Sequence, residues 1–169
     1  FLSRNPLPFG GGELLLHNVG FLLMLTPMKG DTMPIWPYRL LLFQIIVLYV
    51  SSAWQKLLGA TWLDGSAIVT ALAHPHFARF PGLFAAFPAD FFALLSRAII
   101  VWELSWTVLL LPRQRFLQNP LLLSGMVFHL AILLFLRVGS FSAAMLTAYL
   151  GLLFAGGTAP RRESQTSSV

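Results

Sequence analysis

Leu40-Leu41-Leu42-Phe43-Gln44-Ile45-Ile46-Val47-Leu48-Tyr49-Val50 runs without a break into Ser51-Ser52-Ala53-Trp54-Gln55-Lys56-Leu57-Leu58-Gly59. Before Tyr49 the first part holds a single polar side chain, Gln44, and it suits the interior of a bilayer. The second part puts an amine, Lys56, where the same helix is still leaving that interior. An ionisable group at the centre of a membrane helix costs roughly 2.5 to 3.5 kcal/mol, and less toward the interface. A chain that keeps one there has a partner or a use for it.

The rest of the chain fits a membrane setting. Of 169 residues, 57% are hydrophobic and 10% charged, with a mean hydropathy of +0.76. Soluble domains average about 25% charged residues, so these are too few to cover a water-facing surface. The absence of cysteine excludes disulfides, cysteine-ligated metal and thiol chemistry. A net charge of +5 fits cytoplasmic loops and anionic headgroups, and no nucleic-acid partner is expected.

Apolar segments at Glu13–Met28, Tyr38–Leu58, Asp90–Leu111, Asn119–Leu136 and Phe141–Gly157 predict an all-α, polytopic transmembrane helical bundle with about five membrane spans. Ser66–Ala73 is too short to span and predicts a re-entrant or interfacial helix. In the last span, Ser142, Ala143, Ala144 and Gly151 are small enough for close helix packing. Residues 1–157 form one transmembrane domain in this reading, and 158–169 a disordered polar tail. Counting alternate connections places Lys29, Arg39, Arg113, Arg115, Arg161 and Arg162 on one side, and Arg4, Arg79 and Arg137 on the other. The excess predicts a cytoplasmic C-terminal tail and an extracytoplasmic Lys56 side, in the plasma membrane if the source is bacterial.

Several groups inside these spans could carry chemistry. Lys56, Arg97, Glu103 and His129 can all face one polar interior, and none faces lipid cheaply. A desolvated lysine can serve as a general base, and a carboxylate in apolar surroundings can hold a proton. The plainer reading has Lys56 snorkelling to the headgroups, Arg97 and Glu103 satisfying each other or a backbone carbonyl, and His129 hydrogen-bonded in the core. Glu13 and His17 share one helix face, either as a helix-start carboxylate beside an interfacial histidine or as a metal or catalytic pair. His74-Pro75-His76 reads as solvated loop histidines, because the proline calls for extended backbone and no third ligand lies nearby.

The pattern Tyr49-x4-Trp54-x-Lys56-Leu57-x3-Thr61-Trp62-Leu63-x-Gly65-x-Ala67 resembles the hallmark of the vitamin K-dependent gamma-carboxylase-like membrane domain. That group is also called the HTTM, or horizontally transferred transmembrane, domain family. Phe9-Gly10-Gly11-Gly12-Glu13-Leu14-Leu15, Glu103-Leu104-Ser105-Trp106 and the segment from Phe128-His129 to Gly139-Ser140-Phe141 resemble further family pieces, in the family's order. The resemblance covers roughly residues 9–155. It implies a polytopic helical domain with its working face on the lumenal or periplasmic side.

It also implies a role for Lys56. In the carboxylase, the lysine at this position deprotonates vitamin K hydroquinone, which couples quinol oxygenation to carboxylation of peptide glutamates. A quinol cofactor and a carboxylase-like lyase activity are the corresponding expectations here. Lys56, Glu103 and His129 are then the candidate catalytic residues, with Glu13, His17, Trp54, Trp62 and Arg97 as substrate or structural support. The carboxylase has a histidine where Glu13 stands, and it continues into a large lumenal domain. Family members usually have spans before the Gly-Gly-acid segment, so an N-terminally incomplete chain is expected. A non-catalytic protein binding lipid or partner helices is the alternative. A proton-coupled transporter ranks lower, because no internal repeat of the transporter type is apparent.

Overall fold

The computed structural model describes residues 35–110 and 115–157, together with positions 17, 18, 20, 21 and 24. Among the described residues it is helical apart from connecting turns and one isolated bridge. The helices are α1 (Ile35–Leu58), α2 (Ala60–Asp64), α3 (Ala67–Ala73), α4 (Ala89–Ser105), α5 (Gln118–Phe135) and α6 (Gly139–Gly157). Helix α4 tightens into a 3-10 turn over Trp106–Leu110, and another 3-10 turn, Arg115–Leu117, leads into α5.

Among the described residues, three helical stretches are long and apolar enough to cross a membrane: Trp36–Leu58, Ala89–Leu110 and Gln118–Phe135. They coincide with the second, third and fourth expected spans. The fifth corresponds to α6, whose described apolar stretch, Ser140–Leu153, is shorter. The first expected span lies largely outside the described residues. Among the described residues, three of the five expected spans are therefore present as membrane-length helices. The expected surface helix forms as α3, one residue shorter than predicted because Ser66 is its N-cap.

Helix α1 has 24 residues and is about 36 Å long, enough to cross a hydrocarbon core of about 30 Å. Two contacts set its direction relative to α5. Tyr38 hydrogen-bonds to Gln118 near one end, and Tyr49 to His129 further along. Both pairs are 80 residues apart, so α1 and α5 run parallel and in register. The same offset places Lys56 level with Leu136, where α5 ends.

Helix α4 runs the other way, because Trp106 stacks on Tyr49 while Ala93 lies beneath Gly65. Gly65 is needed there for two reasons. Its φ of 89° is a left-handed conformation, and a Cβ would come within 2.5 Å of Ala93.

The core is shared by α1, the 3-10 turn after α4, α5 and α6, with Ile45, Ile46, Tyr49, Trp106, Leu122, Met145, Tyr149 and Leu152 buried together. Helix α6 buries Ser142, Ala144, Met145, Ala148, Tyr149 and Leu152, the spacing of a single helix face. Of the four small residues expected to pack, Ser142 and Ala144 do. Ala143 and Gly151 are exposed, because the 3.6-residue period turns them away. The close approach comes instead from Gly125 on α5, where a Cβ would lie 2.8 Å from Tyr149 Cζ.

Many large apolar side chains remain exposed along the spans, among them Phe43, Val47, Leu94, Val101, Leu123, Val127, Leu130 and Leu134. Water would not tolerate such a surface, and lipid would.

Candidate functional site

Tyr49, Ser52 and Lys56 occupy successive turns of α1, at i, i+3 and i+7, and so share the inward face. Glu103 reaches the same place from α4. Lys56 Nζ lies 2.7 Å from Glu103 Oε1 and 3.0 Å from Oε2, and donates to Ser52 Oγ at 2.5 Å. Ser52 Oγ in turn donates to Glu103 Oε1 at 3.1 Å. The Lys56 side chain is 16% exposed and that of Glu103 3%. The three groups thus form an ion pair with a shared hydroxyl, linking α1 to α4.

Helix α1 breaks at Gly59, whose extended backbone starts the short helix α2. The break brings Trp62 back over the amine, with Nζ 4.9 Å from its ring centroid, within range of a cation–π contact. Lys56 is thus covered by an aromatic ring on one side and bonded to a carboxylate on another. It does not snorkel away from the protein.

A second polar cluster lies deeper along α1. Tyr49 Oη is 3.2 Å from His129 Nε2 and also bonds to Tyr149 Oη. His129 Nδ1 meets Ser142 Oγ at 3.3 Å. Tyr49 stacks on Trp106 at 4.7 Å and meets the edge of Trp102 at 5.0 Å. All of these hydroxyl and imidazole groups are buried, and each has a partner. The Trp106 indole N–H is also buried and has none.

These contacts sort the expected site residues. Lys56 and Glu103 come together, and Trp62 joins them. His129 belongs to the tyrosine cluster and makes no direct bond to Lys56 or Glu103. The expected Arg97–Glu103 pair does not form. The two residues are six apart on one helix, roughly 120° from sharing a face, and Arg97 is exposed. Trp54 is also exposed, on the side of α1 away from the amine. Glu13 lies outside the described residues, and His17 is helical and exposed. Ser52, Tyr149 and Ser142 were not singled out as site residues. Ser52 could have been found from its i, i+4 relation to Lys56, whereas no local pattern marks the other two.

His74 has the extended backbone that a following proline demands, with φ −76° and ψ 120°. Beyond it the chain turns at once, and the His74 carbonyl accepts from Phe77 and Ala78 N–H. The two rings sit 5.5 Å apart, centroid to centroid. Among the described residues no group of three or more histidine, aspartate or glutamate side chains could hold a metal ion. An open surface hollow lined by Val69, Thr70, Ala73, His74 and Pro75 contains none of the clustered groups.

Comparison with known proteins identifies one family: a model of the HTTM domain matches residues 23–155. No curated protein and no solved structure matches the chain.

Proposed function

Because this chain belongs to the HTTM domain family and is an integral membrane protein, we propose that it is a membrane-embedded enzyme of the carboxylase-like type, in which Lys56 acts as the base toward a quinol or another lipid-soluble substrate. The observation that carries this reading is the contact between Lys56 and Glu103 at 2.7 Å, with both side chains largely buried between α1 and α4. An amine must be free of its extra proton before it can take one from a substrate hydroxyl. Glu103 is the acceptor within reach, and Ser52 bonds to both groups. Trp62 presents an aromatic face beside the amine, a surface on which a flat ring can stack. His129 supports the site through Tyr49, holding α1, α5 and α6 in place, and does not touch the amine.

The alternative is a non-catalytic membrane protein that binds lipid or partner helices. It is favoured by the completeness of the Lys56–Glu103–Ser52 bonding, which could serve only to join α1 to α4. Lys56→Ala separates the two. Quinone content of purified protein and turnover of added quinol are measured beside thermal unfolding in detergent. Base chemistry predicts that turnover is lost while quinone still binds and the helices stay folded. Loss of stability in a protein that neither carries quinone nor turns it over before the substitution overturns the enzymatic reading.

A further inference from the structure

The connection from His74 to Pro88, His-Pro-His-Phe-Ala-Arg-Phe-Pro-Gly-Leu-Phe-Ala-Ala-Phe-Pro, has the composition of a buried segment but lies on the surface. Phe77, Phe80, Leu83 and Phe87 are 52%, 52%, 56% and 48% exposed. No acidic residue occurs between Asp64 and Asp90, and the only Lys or Arg there is Arg79. Loops that face water are polar, and this one is not.

Its backbone is also unusual for a loop. Phe77 and Ala78 N–H donate to the His74 carbonyl, Leu83 to Phe80, Ala85 to Gly82 and Phe87 to Phe84, in consecutive turns. Arg79 N–H donates to the Phe135 carbonyl, and Arg137 N–H to that of Phe77. Arg79 Nε spans the Leu133 and Leu136 carbonyls at the end of α5. The N–H groups bonded in this way leave water at lower cost, which favours insertion of the segment to interfacial depth.

The position fits as well. Ala78 bridges to Leu136, the residue level with Lys56, and Phe84 packs edge-on against Phe135 at 5.1 Å. Phe87 touches Phe91, which begins the exposed apolar side of α4 that continues to Leu94. The loop therefore prolongs the lipid-facing surface of the spans.

We propose that residues 74–88 form a membrane-inserted segment, with Phe77, Phe80, Leu83 and Phe87 entering the leaflet at the Lys56 end of the bundle. This placement is independent of any reaction at Lys56. The lone cation is no obstacle, because Arg79 is tied to carbonyls at the end of α5 and its side chain is long enough to reach the headgroups.

The chain has no cysteine, so single-cysteine variants can be spin-labelled without background. Phe80→Cys, Leu83→Cys and Leu130→Cys, each carrying a nitroxide, are compared in the full chain. The vesicles contain phosphatidylcholine and phosphatidylglycerol. Leu130, exposed on α5, is the bilayer reference. Collision with dissolved oxygen reports lipid, and collision with a water-soluble nickel chelate reports solvent. The expected result is that labels at 80 and 83 favour oxygen over the chelate, as the label at 130 does. Chelate collisions matching those of a free nitroxide in buffer would place the loop in water and overturn the proposal. Shielding from both reagents would overturn it too, by showing that protein covers the loop.

Discussion

Glu103 on α4 bonds through both carboxylate oxygens to Lys56 on α1, two residues 47 apart in the chain. Each charge is the other's reason for being tolerated inside a helical bundle. Ser52, one turn before Lys56, fixes the carboxylate's rotation by donating to Oε1. The pair joins two of the three candidate spans, so its removal touches both stability and any chemistry at the amine.

Removing one member leaves the other charge without its partner. Lys56→Ala or Glu103→Gln should each lower stability by about 2 to 3 kcal/mol, between the values for exposed and fully buried pairs, since the amine is only partly enclosed. The double variant should lose less than the sum of the two. A double-mutant cycle on thermal unfolding in detergent measures the coupling, and additive losses would contradict the pairing.

Lys56→Arg keeps the positive charge and an ion pair to Glu103, but guanidinium does not deprotonate in proteins. Stability should stay close to that of the parent, while quinol turnover should vanish. A variant that retains full turnover would show that Lys56 is not the base.

Tyr49 Oη serves two partners, His129 Nε2 and Tyr149 Oη. Tyr49→Phe should cost about 1 to 3 kcal/mol, the range for leaving buried polar groups unsatisfied. Tyr149→Phe should cost less, because Tyr49 still reaches His129. Unfolding midpoints of the two variants test the order.

Gly125 permits the contact between α5 and α6 that holds Tyr149 against Trp106. A Cβ at position 125 would lie 2.8 Å from Tyr149 Cζ and 3.2 Å from Trp106 Cζ2. Gly125→Ala should destabilise by about 1 to 3 kcal/mol through overpacking, despite alanine's better helix propensity. A raised unfolding temperature would show that the two rings can yield.

Outside the spans, the Ser66 hydroxyl and then its backbone N–H hold the Asp64 carboxyl below the usual aspartate range. A lowered value means that the ionised form favours the folded turn. That contribution is present above the ordinary value of about 3.9 and fades as pH falls through the lower folded one. NMR titration should find the Asp64 midpoint below about 3.9, and Ser66→Ala should move it upward.

Hydropathy along the chain determined the helical membrane class, the spans at α1, α4 and α5 and the short α3, because the transfer of a side chain into lipid depends on that side chain and its neighbours in sequence. The order of motifs around Lys56, Glu103 and His129 likewise pointed to the HTTM family. Which charges meet depended on geometry that no local pattern encodes. Glu103 chose Lys56 over Arg97 because a six-residue separation puts Arg97 on another helix face, and the antiparallel run of α4 brings Glu103 beside Ser52 and Lys56. His129 was separated from the amine by the parallel register of α1 and α5, which aligns it with Tyr49. Those pairings are set by helix direction, register and rotation, and these exist only once the helices are packed.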